Sequence, residues 1–351
     1  MNQSTACVLL LNDMHISKDN IPDFSANWDE ALSVCKRKDI RTIVLGGDLF
    51  LSRAAQTLDV LLAVHDALLA AAKMNIDIIL ANGNHCKVNQ EAVRGYCHVF
   101  DQHDNVLVID EYHSLTNPDW GFMLHVIPYF PEEGSFTQKL DEVIQNEISP
   151  DKLNYLYIHE GINGALSRPA DNELPANIFG DFDKVFAGHY HNRCRVSPRI
   201  EYIGASRQHS FGEDEEKGYT VLYTDGTTEF IKNRINQRYM VLDIADDKMD
   251  IHLTDRLADL KEDGRYKVKV RVHSSTAGAS AIDKGKLLEA GANKVEVLTE
   301  EVHAIGATGT GLFEKFDGKK LRDNYRRFCC EKGISEEPGL TYLKSEASCG
   351  N

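Results

Sequence analysis

The sequence lacks any apolar run long enough for a transmembrane helix, which needs about 18 to 20 consecutive apolar residues. Its first residues also lack the basic start of a secretory signal, and the apolar stretch at residues 7–11 ends directly in Asn12 and Asp13. We therefore expect a cytoplasmic protein with no membrane anchor.

Paired cysteine spacing and an ATP-binding loop are also missing. The eight cysteines are scattered, which argues against a disulfide framework or a zinc knuckle and fits free thiols in a reducing cytosol. No Gly-x-x-x-x-Gly-Lys-Ser/Thr loop occurs. Any reaction driven by ATP would therefore need a partner protein.

Basic residues are few relative to acidic ones. The chain has 39 Lys and Arg against 54 Asp and Glu, a formal charge of -15. This balance argues against broad electrostatic attraction to nucleic acid, because phosphate contacts need Lys and Arg. It leaves open a local basic patch, or a site where divalent ions supply the positive charge. At 351 residues and 42% hydrophobic, the chain predicts one large domain with a smaller companion.

Short apolar runs alternate with helical patterns through the first two thirds of the chain. The runs that predict buried strands cover residues 7–11, 40–45, 76–80, 155–158 and 185–187. Continuous apolar strands of this kind are covered on both faces of a sheet. The pattern predicts an α/β fold, with its ligands at the carboxyl ends of the strands.

A polar cluster follows each of these strands. The clusters are Asp13-Met14-His15, Gly47-Asp48, Gly83-Asn84-His85, His159, and Gly188-His189-Tyr190-His191. Two neighbouring divalent ions need a carboxylate able to bridge them, plus imidazole, amide and carboxylate ligands. The clusters supply these groups and leave one histidine, His85, for proton transfer.

The ligand types also indicate how the ligands would divide between the two ions. Asp48 is the best candidate for the bridging ligand, because a carboxylate has two oxygens to share. Asp13 and His15 are two residues apart, so on an extended segment both face one ion, and the same holds for His189 and His191. A mixed nitrogen and oxygen donor set without thiolate suits Mn²⁺ or a related ion better than structural zinc.

Residues 54–74 predict the clearest helix. Its apolar stripe at helical spacing consists of Leu58, Leu61, Leu62, His65, Leu69 and Ala72. We interpret His65 as a core or interface histidine because it lies within this stripe.

The chain becomes β-rich from about residue 192. Residues 218–223 and 227–231 flank Asp225-Gly226, a strong hairpin signal. A second unit follows, in which residues 266–272 alternate and place three bases, Lys267, Lys269 and Arg271, on one face. These bases are candidates for phosphate contacts, although a solvated strand face explains them as well. A helix around 282–290 and a strand at 294–298 complete a predicted β-α-β unit.

The motif order Asp-x-His, Gly-Asp, Gly-Asn-His, His, Gly-His-x-His resembles the calcineurin-like metallophosphoesterase superfamily. Within it, the chain is similar to the SbcD-type exonucleases, the bacterial and phage relatives of the meiotic recombination eleven nuclease. Further stretches that support this branch are residues 46–50, 127–129, 202–206, 210–213 and 217–218. The resemblance covers about residues 5–235.

The resemblance implies a fold and a division into domains. Residues 1–235 would form a two-sheet metallophosphoesterase sandwich flanked by helices. Residues 236–310 would form a smaller β-α-β capping, DNA-binding domain. Residues 311–351 would hold a C-terminal partner-binding helix, with Leu321, Tyr325 and Phe328 on its docking stripe, and a loose tail.

The resemblance also implies a reaction. It is 3′–5′ phosphodiester hydrolysis of DNA, as exonuclease and endonuclease, in repair or recombination. The ligands of one ion would be Asp13, His15, Asp48 and His191, and those of the other would be Asp48, Asn84, His159 and His189. His85 would protonate the leaving 3′ oxygen, and Arg207 and His209 could position the DNA strand. An SbcC-type coiled-coil ATPase would be the partner, with a homodimer of this chain inside a heterotetramer.

Two residues depart from the family pattern. Cys86 stands where Asp or Glu usually follows Gly-Asn-His, and Leu51 stands where an acid or histidine often orients the catalytic imidazole. We expect metal binding to survive both changes and turnover to suffer, unless a group such as His98 or Asp101 substitutes.

Two other functions remain open. The first is a phosphoesterase for a small nucleotide or a phosphoprotein, which would not need the residues beyond 235. The second is an inactive metal-binding scaffold, which would not need every one of the candidate ligands.

Overall fold

The computed structural model describes residues 4–131, 134–166, 170, 172–245, 251–300 and the single positions 325, 326, 329 and 335. The chain divides into two compact units, Met1–Thr299 and Glu300–Asn351. The predicted docking stripe lies outside the described residues at Leu321 and Phe328, so the partner-binding helix stays a prediction. In the described part of the chain, no helix is both long and apolar enough to cross a membrane.

The first of two large sheets has six strands. In spatial order they are β12 (Thr228–Lys232), β11 (Gly218–Tyr223), β1 (Ala6–Leu11), β2 (Thr42–Leu45), β3 (Asp77–Ala81) and β4 (Val106–Ile109). Strands β1 to β4 run parallel, whereas β11 pairs antiparallel with both β1 and β12. The antiparallel β11–β12 pair confirms the hairpin predicted around Asp225-Gly226.

The second large sheet also has six strands. In spatial order they are β5 (His113–Leu115), β6 (Phe122–Ile127), β7 (Leu153–His159), β8 (Lys184–Gly188), β10 (Ile200–Tyr202) and β9 (Cys194–Arg195). Strands β6, β7, β8 and β10 are parallel neighbours, and an antiparallel strand closes each edge.

Alternate side chains along a strand pack into two different hydrophobic cores. On β1, Val8 and Leu10 pack between the two sheets, together with Phe122 and Tyr157 of the second sheet. Leu9, their neighbour, points the other way into a core shared with the helices of the first sheet. This burial on both faces explains why the strands are continuously apolar. The expected two-sheet α/β sandwich flanked by helices is confirmed.

Two helices cover the first sheet, and one covers the second. They are α1 (Ile21–Lys38) and α2 (Leu58–Lys73) on the first, and α3 (Ser135–Asn146) on the second. Helix α1 ends at Lys38 and is capped by Asp39, which adopts a left-handed φ of 54°. Trp28 donates from its indole nitrogen to the Ala67 carbonyl at 2.8 Å and ties α1 to α2.

The predicted stripe of α2 does not form its buried face. The residues that are buried are Val60, Val64, Leu68 and Ala71. Leu58 and Leu62 are exposed by 69% and 49%. The prediction was wrong because the helix is apolar around most of its circumference, so spacing alone does not select the core side. His65 Nδ1 lies 3.0 Å from His103 Nε2, in agreement with its interpretation as an interface histidine.

A third, three-stranded sheet follows the sandwich. Its order is β13 (Arg238–Ala245), β14 (Tyr266–Ser275) and β15 (Lys294–Glu300), with α4 (Ile251–Asp263), α5 (Thr276–Ala279) and α6 (Lys284–Ala290) in the connections. The predicted β-α-β unit is confirmed, and β13 with α4 precedes it. Val268, Val270 and Val272 are buried, as the alternation of β14 predicts. We call β13 to β15 with these helices the small sheet unit.

Candidate dinuclear metal centre

The strand register brings the predicted ligands to one edge of the sandwich. On the first sheet, Leu45 pairs with both Leu11 and Leu80, so the segments after these strands begin at the same level. On the second sheet, His159 pairs with Gly188. The loops that carry the five clusters therefore start side by side.

Asp48 lies at the centre of the cluster. Its Oδ2 is 3.2 Å from His159 Nε2 and 3.6 Å from His15 Nε2. Asp13 Oδ1 lies 3.7 Å from the same His159 nitrogen, 3.9 Å from His15 Nε2 and 3.9 Å from His191 Nε2. Three overlapping groups of ligand atoms each fall within 4.8 Å of one another: Asp13, His15 and His191; His15, Asp48 and His85; and Asp13, Asp48 and His159.

Several buried ligand atoms make no hydrogen bond to any described residue. They include His159 Nδ1, on a fully buried ring, and Asp13 Oδ1, whereas His159 Nε2 has the Asp48 carboxylate at 3.2 Å. Burying such groups without partners is unfavourable by about 1 to 3 kcal/mol each. Divalent cations among these atoms would supply the missing partners. Two aspartates that share a set of imidazoles fit a two-metal site.

The charges in the cluster respond to burial and to one another. Burial lowers the pKa of His15 to about 4, and that of His189 to about 4, so both are neutral near pH 7, as metal ligands must be. Burial also opposes ionisation of Asp48 and His159. Attraction between the Asp48 carboxylate and the protonated His159 outweighs the effect of burial on each. The Asp48 pKa is therefore lowered, and the His159 pKa is raised to about 9 by Asp48 and Asp13.

Metal affinity is therefore expected to rise with pH. Without metal, His159 carries a proton near pH 7 that a bound ion must displace, because only neutral imidazole can bind it. We expect Mn²⁺ affinity to increase by up to about tenfold per pH unit until about pH 9, with release of a proton. Calorimetry in two buffers of different ionisation enthalpy measures both the Mn²⁺ affinity and the number of protons released. An affinity that is flat over this range, with no proton release, would contradict the assignment of His159.

The backbone that holds the ligands is under local strain. Asp13, His15, Asp48 and His189 have left-handed φ values of 52°, 45°, 47° and 92°. Such values are uncommon outside glycine and cluster at functional sites. They correct the expectation that Asp13-x-His15 and His189-x-His191 are extended segments. The candidate ligands converge because the chain turns sharply at them.

Glycines next to the ligands make room for them. A side chain at Gly47, whose φ is 137°, would place its Cβ only 2.2 Å from His159 Nδ1. A Cβ at Gly83 would lie 2.2 Å from Asp48 Oδ1. The Gly-Asp and Gly-Asn-His motifs thus owe their glycines to close approach within the cluster.

His85 is held by main-chain groups. Its backbone N–H donates to Asp48 Oδ1 at 2.8 Å, and its ring Nδ1 lies 2.6 Å from the Leu51 carbonyl oxygen. A carbonyl only accepts, so Nδ1 carries the hydrogen and Nε2 remains for a substrate. The expected lack of a partner at Leu51 is therefore corrected, because the main chain of that residue orients the ring. His98 instead lies 3.3 Å from Asp101 and 2.9 Å from Asp110.

The side chain of Leu51 is accordingly expected to matter little for turnover. It is 45% exposed, and the partner of His85 is its main-chain carbonyl, which every substitution leaves in place. We expect Leu51→Ala, Leu51→Asp and Leu51→His to change the cleavage rate by less than about threefold. Steady-state rates with Mn²⁺ check this. A gain of tenfold or more in Leu51→Asp would show that the carbonyl is an inadequate partner.

Asn84 and Arg53 lie together beside Asp48. With its amide nitrogen toward Asp48, Asn84 donates to Oδ2 at 3.0 Å, and its oxygen accepts from the Arg53 guanidinium. Asn84 thus lies beside Asp48, but its oxygen, the atom that would bind an ion, faces Arg53, and its role as a ligand stays a prediction. Arg53 was not predicted as a site residue, because a lone arginine in a loop has no motif to distinguish it.

Glu213 is a further member of the site. Its Oε1 lies 3.0 Å from His191 Nδ1, and its Oε2 accepts from the His209 backbone N–H at 3.1 Å. Burial alone lowers the His191 pKa, but the Glu213 carboxylate together with Asp13 and Asp48 outweighs burial and raises that pKa. A carboxylate on the outer nitrogen of a ligand histidine fixes the ring and increases its basicity. Glu213 belongs to residues 210–213, one of the stretches that support the family resemblance. Its contact with His191 was not predicted from the sequence.

Arg207 and His209 contact the ligand loop rather than open surface. Arg207 is buried and donates to the Met14 carbonyl at 2.9 Å. His209 Nε2 lies 2.7 Å from the Asp13 carbonyl oxygen. These contacts support the Asp13–His15 turn, and a direct contact with DNA stays a prediction for both residues.

The basic face of β14 is partly neutralised. Lys269 lies 3.4 Å from Glu296, and Arg271 lies 3.4 Å from Asp243. Lys267 lies over the ring of Tyr239, with 5.2 Å from Nζ to the ring centroid. Contact of these bases with phosphates likewise stays a prediction.

Sequence comparison finds relatives among viral and bacterial proteins. A protein of Invertebrate iridescent virus 6 named as a phosphoesterase is 26% identical over 61% of this chain and 75% of its own length. A similarly named protein of Invertebrate iridescent virus 3 is 23% identical over 69% of each chain. The SbcD component of the nuclease SbcCD from Staphylococcus saprophyticus is 23% identical over 58% of this chain and 61% of its own length. No protein-family model matches the chain.

Solved structures with distant similarity include a dimetal phosphatase from Danio rerio. It has a TM-score of 0.40 and 11% identity, over 62% of this chain and 92% of its own. The Pseudomonas putida nuclease MPE has a TM-score of 0.26 and 18% identity, over 46% of this chain and 67% of its own. The chain is thus similar to proteins named as phosphoesterases and to a nuclease subunit, and its candidate ligand cluster suits a metal-dependent hydrolase.

Proposed function

We propose that this chain is a two-metal DNA nuclease of the SbcD type that hydrolyses phosphodiester bonds from a 3′ end. The observation that carries the proposal is the cluster around Asp48, with buried ligand atoms of Asp13 and His159 that have no hydrogen-bond partner among the described residues. A cluster of this composition suits two divalent ions, and its donor set favours Mn²⁺.

The predicted ligands divide between two ions that share Asp48. One ion would take Asp13, His15, Asp48 and His191, and the other would take Asp48, Asn84, His159 and His189. When bound, two such ions activate water and neutralise charge that develops on the phosphoryl oxygens. The left-handed turns at Asp13 and Asp48 hold the carboxylates in place before substrate arrives.

His85 acts as the proton donor. Its Nδ1–H is held by the Leu51 carbonyl, so the protonated ring presents its second proton at Nε2 to the leaving 3′ oxygen. Arg53, which is exposed beside Asn84, is suitably placed to bind a non-bridging phosphate oxygen.

DNA as the substrate and an ATPase as the partner are proposed from the sequence relatives and not from the metal cluster. The bacterial relative is named as a component of the nuclease SbcCD, which favours DNA as the substrate and an SbcC-type ATPase as the partner. Arg207, His209, Lys267, Lys269 and Arg271 are retained as candidate DNA-positioning residues. The apolar residues Leu58 and Leu62 on the exposed side of α2 offer a surface for pairing two copies of this chain.

A phosphoesterase for a small substrate is the second candidate. It is favoured by the two viral relatives, whose names specify a phosphoesterase without naming nucleic acid. The same metal ligands and the same His85 would serve it.

The test is release of mononucleotides from 3′-labelled linear DNA by the purified chain with Mn²⁺, beside p-nitrophenyl phosphate esters. We expect DNA cleavage that requires the metal and is lost in His85→Ala. Cleavage of the small esters alone would support the second candidate. No cleavage of either substrate by folded, metal-loaded protein would contradict both and favour the scaffold.

A further inference from the structure

Residues 208–213 form a short segment, here called the relay loop, between the metal cluster and the small sheet unit. One end carries Gln208 and the other carries Glu213. Gln208 is 1% exposed, although glutamine is usually a surface residue. Its burial indicates that its amide has a structural task.

The Gln208 amide pairs with the backbone of Tyr239 on β13. Gln208 Nε2 donates to the Tyr239 carbonyl at 3.2 Å, and the Tyr239 N–H donates to Gln208 Oε1 at 3.0 Å. The same Nε2 also donates to the Glu213 carbonyl at 3.0 Å. A single side chain therefore joins the small sheet unit to both ends of the relay loop.

Phe211 makes a second, independent connection. Its ring lies edge-on to the ring of Tyr239, with centroids 5.2 Å apart and an interplanar angle of 86°. The Lys269 ammonium lies 5.1 Å from the centroid of the same ring. Both geometries are favourable for an aromatic ring, and both partners belong to the small sheet unit.

The opposite side of the relay loop holds the metal ligands of one ion. Glu213 lies 3.0 Å from His191 Nδ1 and accepts from the backbone of His209. His209 Nε2 lies 2.7 Å from the carbonyl oxygen of Asp13. Asp13 and His191 are both assigned to the same predicted ion.

The second predicted ion is connected to the relay loop only indirectly, because Asp13 Oδ2 accepts from the His189 backbone N–H at 3.2 Å. Within the described residues, no hydrogen bond joins the relay loop to Asn84, His159 or His189. His159 is the last residue of β7, His189 directly follows β8, and Asn84 lies in the segment after β3.

We propose that Gln208 and Phe211 are positioning residues that couple the small sheet unit to the ion held by Asp13 and His191, and not to the other ion. Glu213 is the last link, because it orients the imidazole of His191. The inference rests on the proposed two-metal site but not on the identity of the substrate. Its functional consequence is that whatever displaces the small sheet unit weakens one ion selectively.

The test measures Mn²⁺ binding to the full chain, by calorimetry and by electron paramagnetic resonance, which distinguishes coupled ion pairs from single bound ions. The variants are Gln208→Ala and Phe211→Ala. The matched controls are Tyr266→Ala, a half-buried aromatic residue of the small sheet unit, and Gln138→Ala, an exposed glutamine on α3. Circular dichroism verifies that each variant is folded.

We expect each variant to bind one ion about tenfold more weakly and the other with unchanged affinity, because loss of an outer partner typically weakens metal binding about 10- to 100-fold. Glu213→Gln should show the same selectivity with a larger loss. Phe211→Tyr, which keeps the ring, should restore wild-type binding, and the controls should match wild type.

Three results would overturn the inference. Unchanged affinities in both folded variants would show that the contacts are only structural. Equal weakening of both ions would indicate general destabilisation. A control variant as defective as Phe211→Ala would remove the specificity of the loop. A wild-type chain that binds fewer than two ions would instead contradict the proposed function itself.

Discussion

Replacing Asp48 with alanine is expected to remove both bound ions and to lower metal-dependent cleavage by roughly a thousandfold or more. Its Oδ2 lies within 3.6 Å of ring nitrogens from His15 and His159, which are assigned to different ions. Its Oδ1 also accepts from the backbone of His85. Asp13 Oδ1 also faces His159 and His15, but at longer distances of 3.7 and 3.9 Å.

The measurement is the number of Mn²⁺ ions bound per chain, together with the cleavage rate. Asp110→Asn is a suitable control, because Asp110 is a partly buried aspartate whose neighbour is His98 rather than a predicted ligand. Asp48→Ala protein that retains two ions and near-normal Mn²⁺-dependent cleavage would exclude a bridging role for this residue.

Replacing His85 with alanine is expected to lower cleavage by about 10²- to 10⁴-fold while two ions stay bound. The hydrogen bond to Asp48 comes from the backbone N–H of residue 85, so it survives in the variant. Only the imidazole is lost, and its ring is held by a carbonyl rather than by a ligand.

This variant also distinguishes two assignments that the geometry permits. The ring of His85 lies close enough to His15 and Asp48 to act as a third ligand of one ion. If His85 is a ligand, His85→Ala will lose that ion along with its activity. His98→Ala serves as the control, since it removes an imidazole whose partners are Asp101 and Asp110.

Much of this site could be predicted because its geometry is encoded in strand ends. Apolar runs mark where each buried strand stops, and parallel strands bring the polar residues that follow to one edge. The order of Asp13, Asp48, Asn84, His159 and His189 along the chain thus translates directly into proximity. The glycines beside them mark places where backbone or ligand must approach closely.

The features that were missed depend on the conformation of individual loops. Nothing in the sequence shows that the chain turns through left-handed φ values at Asp13 and Asp48. Every residue has a main-chain carbonyl, so a sequence pattern cannot show that the carbonyl of Leu51 is the partner of His85. Arg53 approaches Asn84 only because the loop after β2 folds back over the cluster.

The buried side of α2 was predicted wrongly for a different reason. The helix has leucine, valine or alanine on nearly every side, so several stripes satisfy helical spacing equally well. Packing against α1 and β3 decides which stripe is buried, and sequence spacing does not contain that information.

The most direct test of the central claim is a crystal structure of the chain with Mn²⁺, with anomalous scattering recorded at the manganese absorption edge. The proposed site predicts two anomalous peaks per chain, both next to the Asp48 carboxylate, one beside His15 and His191 and the other beside His159 and His189. A single peak, or peaks away from Asp48, would contradict the dinuclear site on which the proposed function depends.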